Sequence, residues 1–119
     1  MEFKELQEKI LEWADSHDLL HEENSGKQFL KFVEEVFEFK TEMDMYMKSS
    51  KLNLKMLWPD TDMKLEMGDV FVTLIILCKQ LEIEPMECLE LAYKKIKYRH
   101  GKTIDGTFVK EEDLPGRVE

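Results

Sequence analysis

The sequence predicts an all-α protein, and three observations carry that expectation. Apolar residues return at helical spacing in four separate stretches, and no stretch sustains the period-two alternation of a half-buried strand. Only five Gly and three Pro interrupt 119 residues, of which 43% are hydrophobic and 36% charged, a balance that favours long regular elements over loops or disorder. The length suits a single domain spanning 1–119, and the expected architecture is a four-helix bundle.

The first helix, about 3 to 16, places Phe3, Leu6, Ile10, Leu11 and Ala14 on one face, and a polar stretch at 15 to 18 ends it. The second, about 26 to 48, follows Asn24 and Ser25 and repeats Phe29, Phe32, Val33, Val36, Met43 and Met47, which reads as a core face. Breaker signals run from Ser49 to Pro59; Asp60 or Thr61 can then cap a third helix reaching about Leu81. A fourth starts at Pro85, a good first-turn residue, and repeats Met86, Leu89, Ala92, Tyr93 and Ile96. Its expected stop is Gly101, and Lys94, Lys95, Lys97 and Arg99 at that end suit the helix dipole. Residues 101 to 119 are polar and turn-rich and read as an arm or a flexible end.

The net charge of −9 disfavours a nucleic-acid backbone or an anionic membrane as the main partner, since either would repel the chain. The beginning of the chain lacks the basic-then-apolar order of a signal peptide, and the longest apolar run, 70 to 77, is far too short to span a bilayer. A cytoplasmic protein is expected. Cys78 and Cys88 sit among apolar residues as small hydrophobes rather than as a disulfide framework. His17, His21 and His100 lack metal-ligand spacing and read as surface residues, while Met43, Met45, Met47, Met56, Met63 and Met67 read as adaptable core or interface filler.

The third helix is nearly all apolar except for one narrow stripe. At about 100° per residue, Glu66, Asp69 and Thr73 fall within roughly 60°, and Asp62 and Gln80 extend the row. A stripe so narrow points toward protein or an enclosed pocket rather than open solvent. The second helix carries a matching row, Gln28, Lys31, Glu35, Glu38 and Glu42. Such a row opposite an apolar face is commonly a solvated surface; here Leu30, Phe37, Phe39 and Met45 flank it with large apolar groups. If the two rows face each other, their like charges need protons or cations between them, because repulsion grows as water is excluded. A divalent ion answers this at less cost to stability than several raised pKa values, and oxygen-only ligands select Mg²⁺ or Mn²⁺ over zinc or copper.

The stretch "EEVFE" at 34 to 38 and "EMGD" at 66 to 69 resembles the EExxE and ExxD halves of the MazG-like, all-α nucleoside triphosphate pyrophosphohydrolases. The similarity covers roughly 25 to 100; each half alone is weak, and the specificity comes from both in order on predicted helices. The resemblance implies a four-helix bundle of the all-α NTP pyrophosphatase type. It also implies Mg²⁺ held by Glu35, Glu38, Glu66 and Asp69, with Glu34 supporting or orienting water. The lead-in "QFLK" resembles that of the family and supplies Gln28 and Lys31 as expected substrate-binding residues, and "YKKIKYR" resembles a segment whose Lys95 and Arg99 contact phosphates; Tyr93 stands where many members carry Asn. A homodimer or homotetramer is implied as well.

The expected reaction is metal-dependent attack of water on a nucleoside triphosphate, cleaving between the α and β phosphates to give monophosphate and pyrophosphate. Glu38 is the first choice for the residue that orients or deprotonates water, Glu35 the second. Lys31 can reach a phosphate or simply pair with Glu35, Lys95 and Arg99 can serve the helix dipole instead, and Trp58 can stack on a base or plug the end of the bundle. The rivals are a relative with a narrower substrate, dUTP or phosphoribosyl-ATP, and a non-catalytic acidic helical module that binds a protein.

Overall fold

A computed structural model describes residues 1–52 and 60–116. Four helices place the chain in the all-α class: α1 (Phe3–Ser16), α2 (Ser25–Lys51), α3 (Asp60–Gln80) and α4 (Pro85–Ile96). A 3-10 turn, Glu22–Asn24, leads into α2. The chain divides into two compact units, Met1–Glu84 with α1 to α3, and Pro85–Glu119 with α4 and the segment after it. None of the described helices is long and apolar enough to cross a membrane.

In the first unit α2 packs along α3, and α1 lies against α3. Near the start of α2, the Gln28 side-chain amide donates to the Thr73 carbonyl at 3.1 Å, late in α3, so the two helices run antiparallel. At the end of α3 the Gln80 amide donates to the Leu19 carbonyl at 2.7 Å, in the turn after α1. The buried apolar centre is formed by Ile75, Ile76 and Cys78 of α3 with Ala14 of α1.

The expected core face of α2 is only partly buried. Phe32, Val33 and Met43 are half-buried, whereas Phe29, Val36 and Met47 are exposed. A helix buries only the stripe that its neighbours cover, and α3 covers one side of α2. Around α3 itself Leu65 and Phe71 remain exposed despite the apolar run. Of the two cysteines among apolar sequence neighbours, Cys78 is buried and Cys88 is exposed.

The second helix also runs past its expected end. Ser49 and Ser50 continue α2 to Lys51, and the Ser49 hydroxyl, buried, donates to the Tyr46 carbonyl at 2.8 Å. Bonding back to its own helix removes the serine's reason to break it. Trp58 lies outside the described residues, as do the side chains of the proposed caps Asp60 and Thr61.

In the second unit α4 stops at Ile96, short of Gly101. The Lys97 amide still bonds to the Tyr93 carbonyl at 3.0 Å and the Arg99 amide to Ile96 at 2.9 Å, which closes the last turn. Lys95 therefore sits in the final helical turn, while Lys97 and Arg99 lie beyond it. No residue of α4 is buried.

Gly101 opens a strand instead of capping a helix. Strands β1 (Gly101–Ile104) and β2 (Thr107–Lys110) pair antiparallel, Gly101 opposite Lys110 and Ile104 opposite Thr107. The segment read as an arm is thus a β-hairpin. Its signal is the dipeptide Asp105-Gly106: φ values of 50° and 80° suit a two-residue type I′ turn, whose twist matches that of the strands. Strands of four residues are too short for alternation to show in the sequence. Gly101 is required for a steric reason, since a Cβ there would strike the Val109 carbonyl and the Phe108 ring.

Candidate functional site

The two polar rows meet along the α2–α3 seam. Gln28, Glu35 and Glu42 recur every seven residues on α2, and Glu66, Thr73 and Gln80 do so on α3. Two helical turns bring each set back to nearly the same face. Antiparallel packing sets Gln28 against Thr73, and two turns further on it sets Glu35 against Glu66. One carboxylate oxygen from each of Glu35, Glu38 and Glu66 lies within 4.8 Å of the other two.

Burial is graded across this trio: Glu35 is buried, Glu66 half-buried and Glu38 exposed. Oε2 of Glu35 and Oε2 of Glu66 are enclosed without a hydrogen-bond partner among the described residues. Buried carboxylate oxygens without donors are unfavourable, so the site as it stands invites a cation or a proton. Some positive charge is already present. Lys31 Nζ lies 3.4 Å from Glu35 Oε1 and 3.5 Å from Glu34 Oε2, spacings of four and three residues along α2. Both acceptors raise the Lys31 pKa, the hydrogen bond to Glu35 first.

The crowding shows in the carboxyl groups. A hydrogen bond with Glu35, then the charge of Glu35, raises the pKa of Glu38, with smaller contributions from burial, Glu66 and Glu34. Burial is the first cause of a raised pKa at Glu66, followed by the charges of Asp69, Glu35, Glu42 and Asp62. Glu42, on the same row but outside the expected site, thus adds to the negative field.

The residues present suit a hard divalent ion. An octahedral Mg²⁺ with ligands at about 2.1 Å spaces neighbouring ligand oxygens by about 3 Å. Three carboxylate oxygens already lie within 4.8 Å of one another, so side-chain rotation rather than helix movement would bring them to that spacing. The donor set is all carboxylate, which suits Mg²⁺ or Mn²⁺ rather than a softer metal. Asp69 shares the α3 row and is half-buried, but its oxygens do not join the trio within this distance.

The other expected site residues are placed as follows. Gln28 engages the backbone of α3 and borders a cavity of about 320 Å³ with Leu19, Asn24, Lys27 and Gln80. Glu34 is exposed beside Lys31. Lys95 and Arg99 belong to the second unit, Lys95 exposed and Arg99 half-buried. His21 pairs with Asp18 at 2.6 Å and the His17 ring lies 4.6 Å from that of Trp13; neither belongs to the acidic trio. No family model, curated protein or solved structure matches the chain.

Proposed function

We propose that the protein is a Mg²⁺-dependent nucleoside triphosphate pyrophosphohydrolase, releasing a nucleoside monophosphate and pyrophosphate. The observation that carries this reading is the convergence of Glu35, Glu38 and Glu66 from two helices, two of them with an enclosed oxygen that no protein donor satisfies. The spacing of "EEVFE" and "EMGD" supports the same reading, with the four-helix bundle of the all-α NTP pyrophosphatase type as the proposed architecture.

Glu35 and Glu66 would hold the ion, with Glu38 on its solvent side and Asp69 joining from the next turn of α3. When bound, Mg²⁺ or Mn²⁺ screens the phosphate charge and stabilises the charge that develops on the oxygens. Glu38 orients the attacking water and takes its proton. It is the exposed member of the trio, where a water entering the site can reach it. Glu35 is the second choice for that role, and Glu34 supports it. The water oxygen bonds to the α phosphorus as the bond from that phosphorus to the bridging oxygen breaks, and pyrophosphate leaves. Lys31 can pass from its carboxylates to a substrate phosphate.

Self-association as a homodimer or homotetramer belongs to this reading. Phe29, Leu30 and Phe37 leave much of α2 apolar and exposed, a surface that a second copy would cover. The deciding experiment measures pyrophosphate release from canonical and modified triphosphates, dUTP and phosphoribosyl-ATP included, with and without Mg²⁺. No release from any substrate, together with melting that neither Mg²⁺ nor Mn²⁺ alters, would leave the protein-binding module as the better reading.

A further inference from the structure

The α2–α3 interface poses a problem of register. Apolar residues occupy most of α3's circumference, and apolar side chains of similar volume repack at small cost, so apolar packing specifies which turn of α2 faces which turn of α3 less sharply than a directional bond does. Yet a shift of one turn would part Glu35 from Glu66. In two-stranded coiled coils a single buried polar residue resolves such ambiguity, because any other register leaves it unsatisfied.

Gln28 has the geometry for that task. Its amide donates to the Thr73 carbonyl at 3.1 Å, reaching from α2 to the backbone of α3 at a part-buried position. A helix carbonyl has a second lone pair free for this bond. The Thr73 hydroxyl donates to the Val70 and Asp69 carbonyls of its own helix at 2.9 and 3.2 Å, and the Gln28 amide takes the Thr73 carbonyl. From Gln28 to Glu35, and from Thr73 back to Glu66, the interval is seven residues on each helix.

We propose that Gln28 is a positioning residue: its bond to the Thr73 carbonyl sets the α2–α3 register, and through it the approach of the Glu35 and Glu66 carboxylates. This inference rests on the metal-site reading for its effect on ion binding, whereas the register itself does not depend on any ion. Gln28 acts two turns away from the carboxylates and contributes no ligand. Gln80 is the natural control, since its bond to the Leu19 carbonyl ties α3 to the turn after α1 rather than to α2.

The test compares Gln28→Met and Gln28→Glu with Gln80→Met, each well below its own melting temperature, so that all are folded. Both Gln28 variants keep the length of the side chain and lose the amide donor. Mn²⁺ binding is measured by titration calorimetry, and the register separately in metal-free protein, by electron paramagnetic resonance between nitroxides at Thr41→Cys and Lys64→Cys. The spin-labelled chains carry Cys88→Ser and are diluted with unlabelled protein. The expected result is a loss of Mn²⁺ affinity of about tenfold or more in the Gln28 variants, as for residues that orient ligands. Their distance distribution should shift or broaden, while Gln80→Met leaves both readings unchanged. Gln28 variants with parental affinity and distances, or a Gln80 variant that changes both equally, would overturn the proposal. If the parent itself binds no Mn²⁺ the metal reading fails, and the metal-free distances still decide the register.

Discussion

Lys31 Nζ stands 3.4 Å from Glu35 Oε1, while the other oxygen of the same carboxylate, Oε2, is enclosed without a partner. One side chain is therefore half neutralised. On the proposed reading a divalent ion would complete the neutralisation and, by binding the folded state preferentially, would stabilise it by about 2.7 kcal/mol at a hundredfold excess over Kd. Millimolar Mg²⁺ or Mn²⁺ is expected to raise the melting temperature, and Glu35→Gln to abolish most of that increase.

The metal-free protein should lose stability as pH rises. Glu38 and Glu66 hold their protons more tightly when folded, since their pKa values are raised above the ordinary 4.5. Between that value and the raised ones the folded state binds the more protons, so stability falls as pH climbs through the window and stays lost above it. His21, raised above 6.5 by Asp18, acts in the same direction at higher pH: its stabilisation is present below 6.5 and is lost as pH passes the raised value. Melting curves across mildly acidic to alkaline pH check this, with Asp18→Asn removing the histidine's part. Saturating Mg²⁺ should reverse the carboxylate part, because a metal needs these groups deprotonated.

Stability and activity should move in opposite directions in Glu38→Gln. The amide removes one charge from a crowded trio, so metal-free protein should melt at a higher temperature than the parent. Loss of the base should lower kcat by a factor on the order of 10² to 10⁴. A variant as active as the parent would take Glu38 out of the mechanism.

Lys31→Met separates the two roles of that lysine. Its pair with Glu34 is exposed on both sides and contributes little, but its loss leaves the buried Glu35 carboxylate without a cation, so the metal-free melting temperature should fall modestly. If the ammonium contacts phosphate, KM for the triphosphate should rise at least several-fold. An unchanged KM would leave Lys31 as a partner of Glu34 and Glu35 only.

Gly106→Ala tests the hairpin. At φ 80° an added Cβ is strained, a cost of roughly 1 to 2 kcal/mol for a left-handed backbone. Amide hydrogen exchange should speed up across Gly101–Ile104 and Thr107–Lys110, with the amides of α2 and α3 unaffected.

Periodicity alone determined the helices: apolar residues at spacings of three and four leave no comparable alternative, so the first helix was legible almost to the residue. The acidic rows were legible for the same reason, since a helix maps sequence spacing directly onto direction. The facing of Glu35 and Glu66 could only be supposed, because no local rule says which side of one helix meets which side of another. Tertiary packing decided it, aided by an amide at Gln28 whose partner, the Thr73 carbonyl, has no signature in the sequence. Periodicity marks α2's apolar face but not how much of it is buried, because burial depends on what lies alongside, and that too is a property of the assembled helices. The hairpin stood between these cases: Asp105-Gly106 carried its turn, but its pairing joins residues across the turn, where helical periodicity says nothing.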